Sequence, residues 1–131
     1  YTMTGRVVYG NQLGRQLGVP TANVNPGRKK TVLNGVFAVQ VAMKNKRRLP
    51  GVANVGYRPS VESNTPRPVL EVHLLDFVGD IYNQRVGVSF VKKIRDEIKF
   101  ENLDALKQQI HNDIDTARDY FSKASLRTSD E

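Results

Sequence analysis

The chain has no cysteine, which excludes disulfides and thiolate metal sites and permits a reducing compartment. No apolar run approaches the length of a membrane-spanning helix. The first residues lack the basic-then-apolar layout of a signal peptide. Histidines number only 2, and no His, Cys or carboxylate grouping has transition-metal spacing. Acidic residues are outnumbered: 13 Asp and Glu against 20 Lys and Arg give a formal net charge of +7. Such a balance suits nucleic acid, an anionic membrane surface or phosphorylated small molecules. The basic runs Arg28-Lys29-Lys30 and Lys44-Asn45-Lys46-Arg47-Arg48 fall in expected loops, with aromatics scattered rather than gathered among them. We read these runs as solvated hairpin tips and loop faces, with phosphate steering or polynucleotide contact as the alternatives.

What is present fits one soluble globular domain. The 131 residues, 39% hydrophobic and 25% charged, suffice for a single core and are too few for two ordinary domains. The start at Tyr1 instead of Met suggests a piece of a longer protein. Between residues 3 and 90, short segments rich in Val, Phe and Tyr alternate with Gly, Pro and Asn. Strands are expected at 3–9, 36–43, 49–55, 69–77 and 85–91, with a short extended piece at 22–24. No helical pattern separates them, so the expected architecture is a small antiparallel barrel or sandwich and not a βαβ sheet. After Phe100 the period changes. Leu103, Leu106, Ile110, Ile114, Ala117 and Phe121 recur every three or four residues, which predicts an amphipathic helix to about Lys123, capped by Asn102. The domain is expected to span 1–124, with a frayed tail over 125–131.

The richest chemistry lies in Gly10-Asn11-Gln12-Leu13-Gly14-Arg15-Gln16-Leu17-Gly18-Val19-Pro20-Thr21-Ala22-Asn23. Three glycines allow the sharp turns and bare N–H groups of a phosphate-cradling loop, and Arg15 adds a cationic fork. Thr21 and Asn23, two apart in an extended segment, direct oxygens to one side, a perch suited to Mg²⁺. A local turn in which both side chains bond the backbone is the plainer alternative. No Gly-Lys-Ser/Thr follows, so this is not a Walker loop. Glu71 sits in the most strand-like segment, where both faces are largely apolar. A partly desolvated carboxylate there suits a base that accepts a hydroxyl proton, while an ion-paired Glu at a barrel rim is the alternative. His73, on the same face, reads as hydrogen-bonded packing, and His111 as solvent-facing. Arg95 is either a surface cation paired to Asp96 or Glu97, or a planar group stacked on an aromatic ring system.

Together these segments resemble the riboflavin kinase (flavokinase) family, whose signature is a glycine-rich, Arg- or Lys-containing loop leading into Leu-Gly-x-Pro-Thr-Ala-Asn. Gly35-Val36-Phe37-Ala38-Val39, Gly51-Val52-Ala53-Asn54-Val55-Gly56-Tyr57-Arg58-Pro59-Ser60, Glu71-Val72-His73-Leu74-Leu75-Asp76-Phe77 and Ile94-Arg95-Asp96-Glu97-Ile98-Lys99-Phe100 are similar to that family in its order, over 4–121. The resemblance implies a mainly β fold: a small closed six-stranded antiparallel Greek-key barrel with one long C-terminal helix. It implies transfer of the γ-phosphate of ATP to the 5′-hydroxyl of riboflavin, giving FMN and ADP with Mg²⁺. It also implies a cytoplasmic enzyme, with an N-terminal FMN adenylyltransferase domain in the longer bacterial chain and no membrane or nucleic-acid partner. By residue, it implies Gly10, Gly14, Arg15 and Gly18 for the phosphate loop, Thr21 for nucleotide and metal, and Asn23 for metal. Glu71 becomes the general base, and Arg95 a contact in a flap over the flavin. Two positions depart from the family: Asn83 stands where Gly is usual, a turn that Asn tolerates, and Ser60 stands for Thr. The rival readings are a basic nucleic-acid-binding barrel and a non-catalytic flavin-binding module. Intact Thr21, Asn23 and Glu71 argue against the latter.

Overall fold

The computed structural model describes residues 1–8, 22–25, 33–44, 47–58, 67–75 and 81–129. Six strands come first: β1 (Thr2–Val8), β2 (Ala22–Asn25), β3 (Gly35–Ala42), β4 (Arg48–Arg58), β5 (Arg67–Leu74) and β6 (Arg85–Arg95). One helix, α1 (Leu103–Ser129), follows. The strands pair antiparallel in the order β1-β2-β5-β4-β3-β6 and close into a barrel. Closure removes exposed sheet edges, and the placement of β2 beside β5 gives the Greek-key crossover.

Alternation decides which side chains enter the barrel. Along β1, Met3 and Val7 are buried while Thr2, Thr4, Arg6 and Val8 are exposed. Leu70, Val72 and Leu74 of β5 point inward, joined by Val24, Ala53, Val55, Phe37, Val39, Val41, Val86 and Val88. Valine dominates because β-branched side chains pack well on a pleated surface and lose little further freedom there. Strand β3 reads as almost continuously apolar because it is covered on both sides. Its outward Ala38 is fully buried in a second cluster with Leu75 and Ala117, flanked by Val52, Ile94, Ile114, Tyr120 and Phe121. That second layer seats α1 on the outside of the barrel.

Two sequence details explain the local geometry. Asn83 adopts φ 67° and closes a turn in which the Gln84 N–H donates to the Ile81 carbonyl at 3.1 Å; Asn is among the residues that enter this left-handed region. The Asn102 side chain caps α1, accepting from the Ala105 N–H at 2.8 Å. Two outcomes differ from expectation. Leu103 is 55% exposed, since it lies in the first turn, ahead of the barrel surface. The helix also runs past its expected end near Lys123 to Ser129: once nucleated and docked, a helix propagates at little cost through polar residues.

Candidate active site on the outer face of the barrel

Three of the expected site residues fall within the described residues: Asn23, Glu71 and Arg95. Gly10, Gly14, Arg15, Gly18 and Thr21 lie outside them.

Asn23 of β2 and Glu71 of β5 are direct cross-strand partners. In an antiparallel pair such residues share a face, with Cβ atoms about 5 Å apart. Their chain neighbours Val24, Leu70 and Val72 are buried in the barrel, so both polar side chains face outward, where each is half-buried. The Asn23 Oδ1 is buried and has no hydrogen-bond partner. Leaving a buried carbonyl oxygen unpaired costs about 1–3 kcal/mol, and among the described residues this is the buried side-chain polar atom left without a partner. On its other side Glu71 pairs with Asn54 of β4, a residue that the sequence reading did not single out. His73 lies two residues along the same face, opposite Val52, and is half-buried.

Arg95 ends β6, opposite Val36 of β3. The β3–β6 ladder changes register between Val36 and Phe37 and again between Ala38 and Val39, and bulges of this kind re-aim the side chains beside them. Gly35, at φ +124°, brings the start of β3 so close to the Arg95 carbonyl that a Cβ would collide with it. The Arg95 guanidinium turns to the helix. Its Nε donates to both carboxylate oxygens of Asp113 at 3.0 Å, and its Nη2 lies 2.9 Å from Oδ2. Nη1 donates to the Asp96 carbonyl at 3.0 Å, and the group lies 5.7 Å from the Phe100 ring centroid. The carboxylate partner is thus Asp113, not Asp96 or Glu97. The Asp96 side chain is taken instead by Lys93, whose hydrogen bond and charge hold that exposed carboxyl below the usual carboxylate value. Asp113, 4% exposed, also accepts from Gln109 at 3.0 Å. The sequence carried a signal for this pair. Asp113 sits on the apolar stripe of the helix, between Ile110 and Ala117, and a charge on a buried face demands a partner.

The link 96–102 lies against the same side of the barrel. A Cβ at Gly56, two residues along β4 from Asn54, would fall on the Glu97 carboxylate. Among the described residues, no group of His, Cys, Asp and Glu could hold a metal ion, and no helix is long and apolar enough to cross a membrane.

A sequence model described as "Flavokinase: Riboflavin kinase" matches residues 1–121. The chain is 48% identical over 122 residues to the bifunctional riboflavin kinase/FMN adenylyltransferase of Haemophilus influenzae, covering 93% of this chain and 39% of that protein. Against the Escherichia coli K12 protein of the same name it is 48% identical over 121 residues, 92% of this chain and 38% of that one. The chain therefore spans under two-fifths of these relatives. Among solved structures, a chain named as a macrolide-efflux protein from Streptococcus pneumoniae matches with TM-score 0.79 and 34% identity, over 89% of this chain and 38% of that one. The riboflavin kinase of Trypanosoma brucei matches with TM-score 0.61 and 27% identity, over 96% and 82%. The efflux name stands apart from the others, and the family model, which matches the chain itself nearly end to end, decides between them. The chain belongs to the riboflavin kinase family.

Proposed function

We propose that this domain transfers the γ-phosphate of ATP to the 5′-hydroxyl of riboflavin, with Glu71 as general base and Asn23, together with Thr21, as the Mg²⁺ perch. The pairing of Asn23 with Glu71 across one strand step carries the reading. The fit to the metal rests on one atom. Mg²⁺ takes hard oxygen ligands and is commonly held by one or two protein groups plus substrate phosphates, and the Asn23 Oδ1 is a buried amide oxygen without a partner. When bound there, Mg²⁺ would supply neutralisation of the charge that develops on the phosphates during transfer.

The protein contributes placement and one proton transfer. Glu71 orients the ribityl 5′-hydroxyl and accepts its proton. The freed oxygen forms its bond to the γ-phosphorus as the bond to the bridging oxygen of ADP breaks. A base of this kind accepts a proton only in its ionised form. The glycine loop Gly10, Gly14 and Gly18, with Arg15 and Thr21, supplies the phosphate contacts. The domain works in the cytoplasm as the C-terminal part of a longer enzyme whose adenylyltransferase domain takes the FMN onward.

The test is direct. The chain is incubated with riboflavin and Mg·ATP, and FMN is read by chromatography. Glu71→Gln keeps the shape and removes the base, so turnover should drop by about 10²-fold or more with both substrates still bound. Near wild-type turnover in that variant would make Glu71 structural.

A further inference from the structure

Asn54 completes a row. Across β2, β5 and β4 the partners run Asn23, Glu71, Asn54, and the ladder continues through Val36 of β3 to Arg95 of β6. Ala53 and Val55 on either side of Asn54 are fully buried in the barrel, so the Asn54 carboxamide faces outward, beside Glu71 and exposed to solvent. Its side chain makes no hydrogen bond to another described residue. The link 96–102 overhangs β4 close by, with Glu97 against Gly56.

The row has a direction. In-line phosphoryl transfer places the attacking oxygen and the leaving oxygen on opposite sides of the phosphorus. With the donor's phosphates on the Asn23 side and the attacking hydroxyl at Glu71, the rest of the acceptor extends away from β2, over β4. Neighbouring strands are about 4.8 Å apart, so the hydroxyl next to the reacting one falls over Asn54, and the ring beyond it falls toward the link. A carboxamide has both a donor and an acceptor for such a hydroxyl.

We propose that Asn54 is a substrate-contacting residue that hydrogen-bonds the acceptor's polyol chain at the hydroxyl adjacent to the phosphorylated one, and so selects flavins by that chain. The proposal rests on Glu71 being the base. The experiment measures kcat/KM of the 131-residue chain for riboflavin and for 4′-deoxyriboflavin, in wild type, Asn54→Ala and Asn54→Ser, with Glu71→Gln run in parallel. Wild type should prefer riboflavin by about 10- to 100-fold, because the analogue leaves the carboxamide unpaired. Asn54→Ala should lose that factor with riboflavin, lose nothing further with the analogue, and keep the wild-type KM for ATP. Asn54→Ser, with a shorter hydroxyl, should retain part of the preference. An Asn54→Ala variant that discriminates as wild type, or that loses equally on both flavins, overturns the assignment. If Glu71→Gln is inactive while Asn54→Ala still discriminates, only the Asn54 role falls. If Glu71→Gln turns over normally, the base assignment falls and takes the direction of the row with it.

Discussion

Removing the Asp113 carboxylate should unlock the joint between barrel and helix. Asp113 accepts from Arg95 Nε and Nη2 and from Gln109, with the carboxylate 6% and the Arg95 side chain 15% exposed. In Asp113→Ala the guanidinium stays in place with two of its donors facing protein and no acceptor. Breaking a buried pair from one side costs about 3–5 kcal/mol, mostly for the orphaned charge. At roughly 2.1 cal/mol/K of unfolding entropy per residue, 131 residues correspond to about 0.28 kcal/mol per degree. The expected fall in Tm is therefore about 11–18 °C. Replacing both partners, Arg95→Met with Asp113→Leu, removes the charge as well as its mate and should recover most of the loss. Differential scanning calorimetry of Arg95→Met, Asp113→Leu and the double variant closes the cycle. A loss below about 1 kcal/mol in Asp113→Ala would refute the reasoning, because it would mean that water reaches the guanidinium as soon as its partner leaves. The same set tests the role of Arg95. If its chief task is to hold the link 96–102 against α1, the charge-free double variant should bind flavin nearly as well as wild type; if the guanidinium itself contacts the ring, affinity falls in every variant lacking Arg95.

Asn23→Ala deletes the unpartnered Oδ1, so the ligand-free protein should melt no lower than wild type, whereas the stabilisation that saturating Mg·ADP confers, about 2.7 kcal/mol at 100 times Kd and read as a rise in Tm, should shrink or vanish in thermal-shift titrations. At the left-handed turn, Asn83→Gly should change stability by less than about 0.5 kcal/mol, while Asn83→Ala should cost about 1–2 kcal/mol, read as urea midpoints at unchanged m. Gly56→Ala pushes the Glu97 side chain from its seat; the flexible carboxylate can yield, so Tm should hold within a few degrees while riboflavin affinity, followed by flavin fluorescence, weakens. The Asp96 carboxyl should titrate below the usual carboxylate value by NMR, with Lys93→Ala returning it. Because the folded value is the depressed one, whatever stability this exposed pair adds is present at neutral pH and is lost only as acid protonates Asp96.

Local patterns were legible to the extent that they report local physics. Short segments rich in β-branched and aromatic residues, bounded by Gly, Pro and Asn, located the strands, because such side chains pack well on a pleated surface. The helix, its Asn102 cap and the Asn83 turn were legible for the same reason: each depends on a few adjacent residues. Strand ends were less legible. Gly56-Tyr57-Arg58 and Lys92-Lys93-Ile94-Arg95 do not read as strand, yet pairing with β5 and β3 extends β4 to Arg58 and β6 to Arg95.

The site divides along the same line. Glu71 could be singled out because a carboxylate in an apolar strand is anomalous by itself, and Asn23 because it stands two residues from Thr21 behind a proline. That the two face one another is a property of the Greek-key crossover, which lays β2 beside β5 and skips the strands between them. No spacing in the chain encodes that. Asn54 passed unnoticed since an exposed Asn in a strand is unremarkable until the register sets it against Glu71. Asp113 is the instructive middle case. Its place on the apolar stripe announced that a partner was needed, but the partner is a cation on another element, and only docking of α1 on the barrel selects Arg95 over the 19 other lysines and arginines. A sequence can therefore state a demand for neutralisation, while topology alone supplies the address. Arg95 shows the consequence: the guanidinium that an isolated reading offers to a flavin ring is already committed along one edge to Asp113 of the helix and through Nη1 to the Asp96 carbonyl of the link, and whatever it does for the flavin it does while holding that joint.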